Sequence, residues 1–416
     1  MSGAARTGDQ PADRIQDGIY FRKGQTPGKC YRLLLINIRS GTRPNEARAA
    51  IAAIWTLLAE LRRGIVRDLR PLEAGDPEVI VPDGGLTCLL GFGARLFNPS
   101  LHVPRLVATD LRPPELVSLR PNGVGTPFLN LPWAGEEQRR PGEADLALQF
   151  IAETELAVNR AVVEIWKLID DQDLPLDFVT MHAGFSRNDR RSWIDFHDGL
   201  NNLESSQRRG AIEVVLADPA WMKGGTYMGV LRVSVDLAVW RSLPREHQEI
   251  LVGRNKLTGC PLEEIERGRN GELSLKFMPG CPFGEPLTPA QQAAFRDPPR
   301  PGDPLVQLSH IHRSNHNRGA PDTDANNRVF RQGYEFLETL ADGKPCLGLH
   351  FVSFQRQLAR LTNLLRLNGW LRDVNFGGAT NPRAGEPAPI QFLSVVAGGL
   401  YAVPPNNDPF PGAEIF

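Results

Sequence analysis

The chain has 416 residues, enough for two or three compact units or one duplicated unit. Its 47 basic and 48 acidic side chains leave a net charge of −1, so the composition advertises neither a nucleic-acid surface nor a polyacidic tail. Hydrophobic residues at 41% and charged residues at 23% are ordinary for a globular protein, and no apolar run reaches the roughly 18 residues of a membrane span.

The five cysteines, Cys30, Cys88, Cys260, Cys281 and Cys346, form no CxxC pair, which argues against a zinc ribbon. A sparse odd set predicts reduced thiols and a cytoplasmic protein. The polar N-terminus lacks the apolar core of a secretory signal, and residues 1–14 read as a frayed tail.

"CYRLLLINI" (Cys30–Ile38) predicts a buried strand. Ile51, Ile54, Leu57, Leu58 and Leu61 then recur at helical spacing, with Asn45 as the expected cap and Gly64 as the stop. "GLTCLLGFGARLF" (Gly85–Phe97) reads as a strand, a turn and a helix start. Ala144–Ile169 reads as one long amphipathic helix. A comparable order returns with a strand in Gly224–Leu237, a helix in Pro244–Arg254, a strand in Cys346–Phe354 and a helix in Gln355–Leu367. This predicts an α+β chain of two similar halves, residues 15–205 and 206–416, each with helices packed on an antiparallel sheet. Pro/Gly-rich stretches at 70–84, 112–142, 279–304 and 377–389 read as lids, site walls or disordered segments. The proline-rich C-terminus is expected to drape over the surface.

Three stretches carry candidate chemistry. In "WIDFHDGLNN" (Trp193–Asn202), Asp198 stands on a tight turn among aromatics, where burial would keep a carboxylate available for proton transfer. The alternative is a solvated Asp-Gly turn. "LSHIHRSNHNRG" (Leu308–Gly319) holds His310, His312 and His316, three of eight histidines. They could ligate a metal, supply one axial ligand to haem iron, or line a polar loop. In "RVFRQGYEF" (Arg328–Phe336), Arg331 is either a pocket guanidinium or half of a surface ion pair.

Taken together and in this order, "DFHDG", "SHIHRSNHNR" and "FRQGYEF" resemble the dye-decolourising peroxidase family, which has a GxxDG motif, an AHIRxxNPR-like segment and an LRRGY-like segment. "GGTYMGVLRVSVDL", "GLHFVSFQRQLARLTNLL", "VPDGGLTCLLGFGARLF" and "DRIQDGIYFRKG" extend the resemblance over most of the chain. It implies two ferredoxin-like halves forming a barrel-like dimer of sheets, with haem b in the C-terminal half. It further implies His310 as the axial ligand to iron, Asp198 and Arg331 as the catalytic pair on the opposite side, and Phe196, Gly199 and Arg318 beside the cofactor. His312 and His316 become bystanders. The implied reaction is reduction of hydrogen peroxide with one-electron oxidation of an organic donor, without nucleic acid or membrane, in a protein that self-associates. Other outcomes for such a chain are deferrochelatase-like iron release, biosynthetic oxidation, and haem binding without turnover. Trp193, Trp221, Trp240, Trp370, Tyr227 and Tyr334 are candidate electron relays, and Asp373 a candidate partner for the axial imidazole. Three departures stand out: Asp195 occupies the first glycine of GxxDG, "NHNR" is one residue longer than its counterpart, and Gln332 replaces the second arginine of LRRGY.

Overall fold

β1 (Cys30–Ile38) is buried on both faces and pairs antiparallel with two strands, β3 (Leu146–Ala152) and β4 (Leu176–Phe185). A computed structural model describes residues 14–19, 27–73, 75–119, 141–203, 205–216, 219–279, 288–314, 328–340, 342–365 and 392–416. The first half runs β1, α1 (Pro44–Leu61), β2 (Thr87–Gly93), β3, α2 (Glu155–Asp171) and β4, and its strands lie side by side in the order β4-β1-β3-β2.

The second half opens with α3 (Ser205–Ile212), β5 (Thr226–Val235), α4 (Leu237–Ser242) and α5 (Arg245–Val252). A separate two-stranded ribbon, β6 (Leu262–Arg267) with β7 (Leu273–Phe277), is followed by α6 (Pro289–Arg296) and two single turns, α7 (Pro304–Gln307) and α8 (His310–Arg313). β8 (Phe330–Thr339), β9 (Pro345–Gln355), α9 (Leu358–Leu365) and β10 (Leu393–Val403) complete it. Its main sheet has the order β10-β5-β9-β8. By sequence rank within each half, both sheets therefore read fourth, first, third, second.

The two sheets close into one eight-stranded barrel. One seam joins β10 to β2 through Tyr401 opposite Gly93 and Ala402 opposite Phe92. The other joins β4 to β8 through Phe185 opposite Glu335. Alternation sends Tyr31, Leu33 and Leu35 inward with Met228, Val230 and Tyr334. Leu34 and Ile36 point outward, where α1 and α2 cover them with Ile51, Ile54, Ile165 and Leu168. Burial on both faces explains why strand segments read as unbroken apolar runs.

Several sequence expectations are corrected. The segment read as one helix from Ala144 is a strand and then a helix. All seven residues of β3 are buried, and Thr154 breaks the run by capping α2, its hydroxyl accepting from the Ala157 amide at 3.3 Å. α1 starts two residues earlier than Asn45 implies: Arg43 is the N-cap, Pro44 takes the first helical position, and Glu46 accepts from the Arg43 amide at 2.9 Å. The C-terminal segment is not draped over the surface. Phe410, Ala413 and Ile415 are buried in the main core, because proline-rich chain still offers side chains that fill space. Cys30, Cys88 and Cys346 are buried thiols outside any disulfide, whereas Cys260 is disulfide-bonded, its partner lying outside the described residues. No helix among the described residues is long and apolar enough to cross a membrane.

Candidate functional site

The loop that leaves β4 folds back on itself over the seam with β8. The Asp198 amide donates to the Arg190 carbonyl at 2.9 Å, and the Ser192 amide to the Phe196 carbonyl at 3.0 Å. The Asp195 amide closes the tip on the Ser192 carbonyl at 2.8 Å. At this tip Asp195 has φ +67°, a left-handed conformation that side chains other than Gly, Asn and Asp rarely accept. The motif's first glycine is thus explained by backbone geometry, and the aspartate here adopts the turn that glycine adopts freely.

Arg191 fastens this loop to the chain between α5 and β6. Its guanidinium donates to the carbonyls of Asp195 (2.8 Å), Lys256 (2.7 Å) and Leu257 (2.8 Å) and lies 2.9 Å from His197 Nε2. Burial and the Arg191 charge hold the His197 imidazole below its usual pKa, so the neutral ring accepts from the arginine. Phe196 anchors the loop from beneath, buried against Trp240 with ring centroids 6.1 Å apart. Its side chain therefore belongs to the core under the loop. Gly199, at φ +73°, lets the chain leave the turn with open space around it.

The loop places Asp198 against β8. Its Oδ1 accepts from the Gly199 amide at 2.6 Å. Its Oδ2 lies 3.0 Å from where a Cβ on Gly333 would stand, so glycine gives the carboxylate room at this spot. Two asparagines then staple the loop to the strand that carries Arg331. The Asn202 side chain copies a peptide group: Oδ1 accepts from the Arg331 amide at 3.1 Å, and Nδ2 donates to the Arg331 carbonyl at 2.6 Å. The Arg331 guanidinium donates to the Asn201 carbonyl at 3.2 Å. Asp198 and Arg331, 133 positions apart in the chain, are thereby brought onto one face of β8.

That face continues onto β9 and β5. Phe351 stands opposite Gly333 and Leu349 opposite Glu335, with Val233 opposite Leu349 on the next strand. Val233, Leu349 and Phe351 are only half-buried, and Gly333 is exposed. The result is a partly exposed apolar patch with the Asp198 and Arg331 side chains at its edge and the buried Glu335 beside them. It fits a planar, mostly apolar macrocycle such as haem, which needs a smooth surface and a few placed polar groups.

His310 begins α8 and is half-buried, while His312 two residues on is buried. The turn is seated on the C-terminal end of α5, where Gly253 has φ +84°. A Cβ there would come within 2.3 Å of Ser309 Oγ and 2.9 Å of Ile311. Ser309 is itself pinned by donating to the Val306 carbonyl at 2.7 Å. His316, Arg318, Trp370 and Asp373 lie outside the described residues. Among the described residues no group of three or more His, Cys, Asp or Glu side chains is arranged to hold a metal ion.

Sequence reasoning passed over the residues that assemble this site: Arg191, Asn201, Asn202, Gly253, Gly333 and Glu335. The doubled asparagine directly after Asp-Gly was the available signal, since adjacent amides suit the bridging of two backbones.

The fold is an α+β barrel, with Asp198 and Arg331 brought together on one face of β8. Residues 189–408 match the model of the Dyp-type peroxidase C-terminal region, more than half the chain, and the chain belongs to that family, whose members are haem enzymes. Deferrochelatases of Shigella flexneri serotype 5b and Escherichia coli K12 are 27% identical over 240 residues, 54% of this chain and 51% and 50% of their own lengths. The chain spans about half the length of these curated relatives. A solved Dyp-type peroxidase from Cellulomonas bogoriensis matches at TM-score 0.63 and 22% identity, over 97% of this chain and 96% of its own. A Rhodococcus jostii DypB variant in complex with haem matches at TM-score 0.56 and 17% identity, over 94% and 96%. At these identities the solved structures show the fold.

Proposed function

We propose that the protein is a haem b peroxidase that reduces hydrogen peroxide and oxidises an organic donor in one-electron steps. The observation that carries this reading is the Asp198 carboxylate, admitted by Gly333, on the strand and face that bear Arg331. The halves 15–205 and 206–416 are read as two ferredoxin-like units, which the repeated strand order supports, with the cofactor in the second.

Haem, when bound, supplies the redox chemistry that takes two oxidising equivalents from peroxide. His310 would hold it, and Arg318 is assigned to its carboxylate groups. Asp198 would accept the proton from one peroxide oxygen and return it to the other. Arg331, fixed by Asn201 and Asn202, stabilises the negative charge that develops on the departing oxygen. A carboxylate performs this work at lower pH than an imidazole, because it stays ionised where histidine is charged. An acidic optimum is expected.

The test is the absorption spectrum of haem-supplied protein before and after one equivalent of peroxide, for wild type and His310→Ala, Asp198→Asn and Arg331→Leu. A Soret band altered in His310→Ala, and a peroxide response slowed by on the order of 100-fold or more in the other two, supports the assignments. A wild-type band that peroxide leaves unchanged overturns them. The names of the curated relatives favour a second reading, removal of iron from haem with release of the porphyrin. Porphyrin fluorescence growing without donor oxidation would select it.

A further inference from the structure

β8 carries a third side chain on the face it shares with Arg331 and Gly333. Glu335 sits on the barrel seam, opposite Phe185 of β4 and Leu349 of β9, and is 6% exposed. The Asp198 loop roofs it. The Trp193 backbone lies near the Glu335 carboxyl, and the Trp193 ring nitrogen donates to the neighbouring Phe336 carbonyl at 3.1 Å. Three charged groups face it: Asp198 from the loop, and Arg187 and Asp189 from the chain just beyond β4. Arg187 is engaged elsewhere, bonding Asp189 at 2.9 Å and lying over the Trp193 ring at 5.2 Å. Among the described residues no ion pair neutralises Glu335. A carboxyl enclosed without a counterion is held in its uncharged form. Here burial, and then the Asp198 charge, push its pKa up to about 8.

We propose that Glu335 is the proton-holding partner of Asp198, an enclosed acid that limits the pocket to one carboxylate charge and whose ionisation ends reactivity toward peroxide on the alkaline side. This rests on the peroxidase reading of Asp198 and adds a positioning residue to it. While Glu335 keeps its proton, Asp198 alone bears the charge and is free to accept the proton of peroxide. When Glu335 gives its proton to solvent, a second carboxylate stands beside the first. The pair then carries two negative charges and no proton, and the added charge opposes the negative charge growing on the departing oxygen. Glu335 touches no reactant and acts through Asp198.

Two pH profiles test this. The first is the rate of the peroxide-induced spectral change of the haem-loaded protein. Wild type should lose rate through one ionisation near 8, and Glu335→Gln should keep its rate at least about one pH unit further. The second is denaturant unfolding of the same proteins against pH. The unfolded chain releases the Glu335 proton in the ordinary carboxylate range while the folded chain keeps it, so wild-type stability falls as pH rises through that window. Glu335→Gln should remove this decline, and Asp198→Asn should end it at a lower pH by removing the neighbouring charge. An unchanged profile for Glu335→Gln in either measurement overturns the proposal. If wild type does not respond to peroxide at any pH, the peroxidase reading fails. The unfolding profiles of the two variants then decide alone whether the carboxyls act as a pair. If Glu335→Gln does not fold, the Asp198→Asn shift decides.

Discussion

Asp195 shows how a motif departure becomes intelligible once its backbone is known. A left-handed aspartate is tolerated but strained, and its ion pair with Lys256 at 3.4 Å is largely exposed and worth little. Asp195→Gly should therefore stabilise the protein by about 0.5–1 kcal/mol, read as a higher denaturant midpoint, with the peroxide response retained. Asn202 should behave oppositely. Asn202→Ala removes both hydrogen bonds to the Arg331 backbone. It should lower stability by about 1–2 kcal/mol and slow the peroxide reaction by on the order of tenfold, since small misplacements of a positioned cation are felt strongly. The candidates His310, Asp198 and Arg331 were nominated from motif order alone. The residues that hold them were not, because Asn202, Gly253 and Gly333 act on partners dozens to more than a hundred positions away, and no local pattern encodes that.

Among the elements, β1, β5, β9, α1 and α5 were read correctly. β3 was misread because, buried on both faces, it shows no alternation and runs after only two residues into α2, so strand and helix read as one apolar segment. β4 and β10 escaped notice for related reasons: β4 changes register at a bulge against β1, and β10 is apolar almost throughout. α8 is a single turn whose place depends on Gly253 of α5. Gly253→Ala introduces a Cβ in a left-handed position and against Ser309. A loss of about 1–3 kcal/mol in unfolding experiments is expected. The Soret absorbance per protein should fall with it, because the turn that shifts is the one bearing His310. An unchanged Soret yield would separate α8 from the cofactor.

The barrel as a whole is a strong object with two narrow joins. Within each half, neighbouring strands pair over most of their lengths, as β5 does with β9 and β10. Between the halves, β2 and β10 share two register pairs and β4 and β8 share one. Few backbone hydrogen bonds need to break for the β4–β8 seam to part, and local opening follows the lines of least pairing. Amide hydrogen exchange should accordingly be faster at the Phe185 and Glu335 ends of β4 and β8 than in the centres of β5 and β9. Uniform protection around the ring would contradict this. The Asp198 loop is strapped across that same join by Asn201, Asn202 and Trp193, so it does for the barrel what a clasp does for a bracelet. A ligand that tightens the loop onto β8 would slow exchange along the whole seam. The protein's resistance to opening would then depend on whether its reaction site is filled.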